Sequence, residues 1–187
     1  MTFAQQLRDY AASLDWVSGL IAGTAAEDLG RPTPCSEWDV RLLIGHLIGT
    51  AYRGRGTATG LPASDVPHVV TDVPDDKLAA TYAQLAAEIG PAFASFEGGT
   101  SVRAPWGQVT ALEAVRGFTI ETTTHGWDLA VATDRPGDAP PGVAERCLAS
   151  AADAVPARLR GLMYADPLTD DPQRSPTERL ARLLGHH

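Results

Sequence analysis

The chain has 187 residues, of which 44% are apolar, a length and composition that suit one domain with a real core. Its formal charge of −8 argues against nucleic acid and anionic lipid as main partners. No apolar run approaches the ~20 residues of a membrane span, and no basic-then-apolar leader opens the chain, so the expectation is one cytoplasmic domain over residues 1–187.

Residues 2–27 predict a long amphipathic helix. Phe3, Leu7, Tyr10, Leu14, Val17 and Ile21 recur at alternating spacings of four and three, a pattern that wants helical neighbours in a bundle. Gly30 and Pro32 break it. The loop Thr33–Asp39 leads into a second helix, which Ser36 or Asp39 could cap and which is expected to end near Tyr52. Leu42, Leu43, His46 and Thr50 share one face, so His46 lies on the apolar stripe. Gly45 and Gly49 flank it. Each costs about 1 kcal/mol relative to alanine inside a helix, which implies a need for room or close helix packing.

Residues 54–74 are rich in Gly, Pro, Thr and Ser and predict a long loop. A third helix should begin near Pro74–Asp76, with Leu78, Tyr82, Leu85, Ile89 and Phe96 facing the core and Pro91 kinking or ending it. Residues 98–107 are turn-rich, and Val102, Trp106 and Val109 could anchor a short extended pair. Thr110-x-x-Glu113 is a capping box, opening a fourth helix expected to reach Ala132. Residues 140–159 read as a fifth helix perturbed at Pro156, and 176–184 as a short one. Cys35 and Cys147 match neither a disulfide framework nor a CxxC site; Cys147 reads as core and Cys35 as packing or capping. His186 and His187 are given no role.

The fourth helix holds the chemistry. Glu121 and His125 are four apart and share one helix face. A carboxylate and an imidazole so placed can grip a divalent ion, and His46 is the best third donor. The ion expected is Zn²⁺, with Ni²⁺ or Fe²⁺ as alternatives. The competing readings are a charged surface pair and a hydrogen-bonded core histidine. Ile120, Phe118, Leu129 and Val131 leave little of this helix for solvent, and a buried carboxylate needs a cation. Glu-His-His ligation leaves an open position, as catalytic sites do. Gly117, one turn earlier, is read as space on the ligand face. Asp128 could orient a ligand histidine or pair with a neighbouring helix. Trp127, one residue off that face, is read as core ahead of a substrate platform.

Thr33-Pro34-Cys35-Ser36-Glu37-Trp38-Asp39-Val40-Arg41-Leu42-Leu43-Ile44-Gly45-His46 and Glu121-x3-His125-Gly126-Trp127-Asp128-Leu129-Ala130 together resemble the actinobacterial branch of the DinB/YfiT-like superfamily. That branch includes the N-terminal domain of the mycothiol-dependent maleylpyruvate isomerase. The stretch Ser175–Gly185 also resembles the way these chains end. The resemblance implies an all-α fold, a DinB-like four-helix bundle with short extra C-terminal helices, and a divalent metal held by His46, Glu121 and His125. It further implies mycothiol as cosubstrate, its thiol acidified by the metal and added to a small electrophile. The isomerase's additional C-terminal domain has no expected counterpart here, so S-transfer is preferred to maleylpyruvate isomerisation. Arg53 and Arg55 could meet a carboxylate or sugar hydroxyls at the mouth, or be solvated. The partners expected are a small-molecule thiol, an electrophile and a second copy in a homodimer. A non-catalytic metal-binding or regulatory bundle, and a metal-dependent hydrolase of a thiol conjugate or amide, are the alternative functions.

Overall fold

The computed structural model describes residues 1–36, 38–61, 63–155, 160–161 and 165–187. Four long helices form the bundle: α1 (Phe3–Ala22), α2 (Val40–Thr59), α3 (Leu78–Ala94) and α4 (Ala111–Ala132). Helix α1 packs on α3 and α4, and α2 packs on the same two from the other side. Two shorter helices, α5 (Val143–Ala154) and α6 (Pro176–Leu183), pack on each other and on α4. A hairpin of β1 (Ser101–Ala104) and β2 (Gly107–Thr110) connects α3 to α4, with Val102 opposite Val109. This is the expected four-helix bundle with extra C-terminal helices. The expected fifth helix, 140–159, is seen as α5, which begins at Val143 and ends at Ala154; residues 156–159, including Pro156, lie outside the described residues.

The core follows the heptad pattern. Tyr10, Leu14, Val17 and Ile21 of α1 meet Leu43, Leu47 and Ile48 of α2, Tyr82, Leu85 and Ile89 of α3, and Phe118 of α4 in one cluster. A smaller cluster joins Ile120 to Val143, Cys147, Leu180 and Leu184 under α5 and α6. Helix α4 is therefore covered on nearly every side between Phe118 and Ala132, and polar groups placed there are interior groups. Helix α1 presses closely on it: a Cβ at Gly126 would come within 2.4 Å of the Trp16 ring.

Three local expectations need correcting. Helix α1 stops at Ala22 rather than near residue 27, and a separate 3-10 turn covers Ala26–Asp28. Helix α2 runs to Thr59, seven residues past Tyr52. Gly54 and Gly56, read as loop, are helical positions where a neighbour approaches: a Cβ at Gly54 would lie 2.6 Å from the Tyr10 hydroxyl. The helix ends instead at Gly60, whose φ of +74° suits a left-handed cap. Helix α3 continues through Pro91 and ends at Ala94, three residues past the proline. Its buried continuation is Phe93, while Phe96 packs only partly buried beyond the helix end.

Caps fix where the helices begin. The Asp39 carboxylate, not Ser36, accepts from the Leu42 N–H at 2.8 Å. At α4 the capping box is complete: Thr110 Oγ1 accepts from Glu113 N–H (3.2 Å), and Glu113 Oε2 accepts from Thr110 N–H (2.8 Å).

Candidate functional site

Helices α2 and α4 face each other in the bundle, and this brings His46 against Glu121 and His125. His46 Nε2 lies 3.1 Å from Glu121 Oε1, and His125 Nε2 lies 3.5 Å from the same oxygen. One donor atom from each of the three sits within 4.8 Å of the other two. The histidines are buried, whereas 28% of the Glu121 side chain is exposed. Glu121 is thus less buried than the sequence suggests, because it opens onto a cavity of about 630 Å³. A cavity of that size suits a small ligand.

Each histidine is held from behind. His46 Nδ1 donates to the His68 carbonyl at 3.1 Å, and His125 Nδ1 donates to Asp128 Oδ2 at 2.9 Å. A carbonyl can only accept, so the His46 proton is on Nδ1 and its Nε2 presents a lone pair. Burial, reinforced by the nearby His125 charge, holds His46 down to about 4, against an opposing pull from Glu121. Burial would raise the Glu121 carboxyl, but the hydrogen bond from His125 and the charge on that ring outweigh it and hold the carboxyl well below the usual range. A bare imidazole nitrogen and an ionised carboxylate oxygen therefore stand 3.1 Å apart. Two acceptors at that distance call for a cation between them, and this donor set fits a divalent ion.

The His68 carbonyl comes from the loop between α2 and α3, which is fastened along α2. Val70 N–H donates to the Gly45 carbonyl (3.1 Å). Arg53 donates to the Pro67 carbonyl (2.9 Å), and Arg41 to the Val73 carbonyl (2.6 Å). Gly45 and Gly49 make this possible: a Cβ would come within 2.4 Å of Val70 O at Gly45 and 3.0 Å of Pro67 O at Gly49. The room these glycines supply is for loop backbone, not for a second helix. Gly117 leaves no space on the ligand face; the Trp106 ring fills it at 2.7 Å.

Asp128 is fully buried and faces His125. Burial works against its charge, but hydrogen bonds from His125 and His186 bring it down to about 2. Arg53 reaches the site indirectly. It donates to Thr50 Oγ1 at 3.0 Å, and that oxygen is 3.4 Å from His46 Nε2. Arg55 pairs with Glu88 at 2.8 Å and lies over the Tyr52 ring, away from the cavity. Trp127 is buried against Gly137 and does not line the cavity.

Sequence reasoning missed four participants. Trp38 lines the cavity with its ring centroid 4.6 Å from that of His46 and 5.8 Å from that of His125. His68 packs beside both Trp38 and His46. Cys35, read as packing, has its thiol 3.3 Å from Asp128 Oδ2 and 3.8 Å from His125 Nδ1. His186, given no role, donates from Nδ1 to Asp128 Oδ2 at 2.8 Å. The Thr33 hydroxyl shapes the loop that presents Cys35 and Trp38: it donates to the Trp38 carbonyl (2.8 Å) and accepts from Cys35 N–H (3.1 Å). Only for His186 does the sequence carry a usable signal, a glycine just past a short capped helix.

The family model described as the mycothiol maleylpyruvate isomerase N-terminal domain matches residues 10–130. The chain is 34% identical over 176 residues to the uncharacterised protein Rv0738 of Mycobacterium tuberculosis strain H37Rv, covering 91% of this chain and 92% of that one. The same figures hold for the uncharacterised protein MT0763 of the CDC 1551 strain. Among solved structures, the mycothiol-dependent maleylpyruvate isomerase aligns with a TM-score of 0.59 at 17% identity, over 81% of this chain and 69% of that one. A histidine-to-alanine mutant of that isomerase aligns over the same shares with a TM-score of 0.63 at 16% identity. At such identities the likeness concerns the fold. No helix among the described residues is long and apolar enough to cross a membrane.

Proposed function

Since the chain belongs to the mycothiol maleylpyruvate isomerase N-terminal domain family, we propose that it is an enzyme that adds the thiol of mycothiol to a small electrophile at a divalent-metal centre. The observation that carries this reading is the convergence of His46 Nε2, His125 Nε2 and Glu121 Oε1 on the wall of a cavity, with each imidazole pinned from behind. These three residues would hold the metal, with Zn²⁺ the ion best suited to two imidazoles and a carboxylate. A divalent ion there would lower the pKa of a bound thiol and so raise its thiolate fraction at neutral pH.

The chain's own residues supply the rest. The His68 carbonyl and Asp128 fix both rings with Nε2 facing inward, so no rotamer search precedes binding. Trp38 and His68 form an aromatic wall of the cavity beside His46. Glu121 adds a negative charge, which makes the centre less electrophilic than three neutral histidines would. That favours a thiol able to leave again. Retention of the thiol on the product is S-transfer; rotation and expulsion is isomerisation. Both share the addition step.

The test is incubation of the Zn²⁺-loaded protein with mycothiol and a panel of electrophiles that includes maleylpyruvate, followed by mass spectrometry and chromatography of the products. A stable thioether identifies S-transfer, and an unadducted geometric isomer identifies isomerisation. Rates no higher than with mycothiol alone across the panel would overturn the reading.

A further inference from the structure

The short helix α6 is built to aim one residue. Ser175 caps its start by accepting from Glu178 N–H, and Pro176 occupies the first turn. At its end Gly185 adopts φ +95°, Gly185 N–H donates to the Arg182 carbonyl, and His186 N–H donates to the Ala181 carbonyl. These two bonds with a left-handed glycine are a Schellman motif, which fixes the direction of the residue after the glycine. Leu184, just before it, is anchored in the smaller apolar cluster. His186 is therefore held by secondary structure at both backbone and core, and its ring lies edge-on to His125 with centroids 5.3 Å apart.

We propose that His186 is a positioning residue of the centre: it holds the buried Asp128 carboxylate in the rotamer that fixes the tautomer and orientation of His125. Asp128 Oδ2 accepts from His125 Nδ1 at 2.9 Å and from His186 Nδ1 at 2.8 Å, and Oδ1 lies 3.0 Å from the same His186 nitrogen. A carboxylate bound by only one imidazole can rotate about its last bond. One spanned by a second donor on both oxygens cannot do so without losing a charge-assisted hydrogen bond. The Cys35 thiol, 3.3 Å from Oδ2 and 3.5 Å from His186 Nδ1, closes the remaining side. Asp128 thus serves two imidazoles, one facing the proposed metal and one carried by the segment after α6. That segment, Leu184–His187, also lines the cavity, so the same turn that positions Asp128 shapes the pocket wall.

The metal consequence rests on the reading given under Proposed function; the effect on His125 does not. The experiment compares the wild-type chain with His186→Ala, His186→Asn and Cys35→Ser. Asparagine places an amide N–H where Nδ1–H was, so it is the conservative variant. The first readout is Zn²⁺ affinity by chelator competition. His186→Ala should weaken it about 10-fold or more, as loss of a group supporting a ligand histidine does, and His186→Asn should recover most of that loss. The second readout is the ¹⁵N-detected Nδ1–H signal of the His125 ring in metal-free protein. The Nδ1–H signal should be present in the wild type and in His186→Asn, and lost or exchange-broadened in His186→Ala, with circular dichroism unchanged. If the wild type takes up no Zn²⁺, the metal reading fails, and the ring spectra alone decide the role of His186. An unchanged His125 spectrum in His186→Ala would overturn the proposal. So would a second equivalent of Zn²⁺ in the wild type that is lost in both His186→Ala and Cys35→Ser, since Cys35, His125, Asp128 and His186, whose ligand atoms lie within 4.8 Å of one another, would then be ligands of their own ion.

Discussion

The Gly45 carbonyl accepts from Val70 N–H at 3.1 Å, and the same glycine leaves room for the Val70 carbonyl where a Cβ would stand 2.4 Å away. This contact seats the loop whose His68 carbonyl pins His46. Gly45→Ala should push the loop off α2 and cost about 1–3 kcal/mol, the usual range for forcing atoms into a packed site. Gly19→Ala, on the same kind of helix with nothing within 4 Å of the new Cβ, should instead stabilise by up to about 1 kcal/mol. Urea denaturation of both variants gives the comparison. Equal effects would mean that the loop yields freely and does not clamp His46.

The proposed ligand set makes a separate prediction. His46→Ala and His125→Ala should each abolish stoichiometric Zn²⁺ binding, and Glu121→Gln should lower affinity roughly 10-fold or more, since it keeps the shape but removes the charge. Elemental analysis and chelator titration measure this. Full metal retention in both histidine variants would remove the site. Unchanged affinity in Glu121→Gln, with a lower melting temperature of the metal-free form, would make Glu121 a structural ion-pair partner only.

The capping box of α4 predicts a pH dependence. The Thr110 backbone N–H and hydroxyl hold the Glu113 carboxyl below its ordinary 4.5. A depressed folded pKa adds stability that is complete above the unfolded value and is lost as pH falls through the folded value. Thr110→Ala should therefore cost about 1 kcal/mol at pH 7, and less at pH 3, which lies below the carboxyl's unfolded value, so that part of this contribution is gone. Denaturation at the two pH values tests the sign. A larger penalty at pH 3 would contradict it.

The cysteines should react unequally. Cys147 is buried, and its burial pushes the thiol up to about 12, so the folded protein should leave it unlabelled by iodoacetamide at pH 7.5. Cys35 is half-buried on the cavity wall and should take the label. Peptide mapping after a short exposure reads both sites. Labelling of Cys147 at a comparable rate would mean that α5 opens readily from the bundle.

What the sequence made legible was local. The Thr110–Glu113 box, the four-residue step from Glu121 to His125 and the heptad stripes depend on neighbours along one helix, and they reappear unchanged. The glycines were harder. Gly45 and Gly49 did signal a close approach, but periodicity cannot say that a loop rather than a helix makes it. Gly54 and Gly56 looked like breakers because the Tyr10 hydroxyl and the backbone near Ala63 arrive from distant parts of the chain. For the same reason Cys35, His68 and His186 were not recognised. Each joins the site through a turn whose direction is set by caps and tertiary hydrogen bonds, which leave no period in the sequence.

His46 and Glu121 stand 75 residues apart in the chain. An ion shared between them would act as a staple across α2 and α4. Closing a loop of that size with a covalent link removes on the order of 4 kcal/mol of freedom from the unfolded chain. Unlike a disulfide, this staple would be opened by a chelator and not by a reductant. The rigidity of the bundle would then follow the local supply of divalent ions, independently of the redox state of its surroundings.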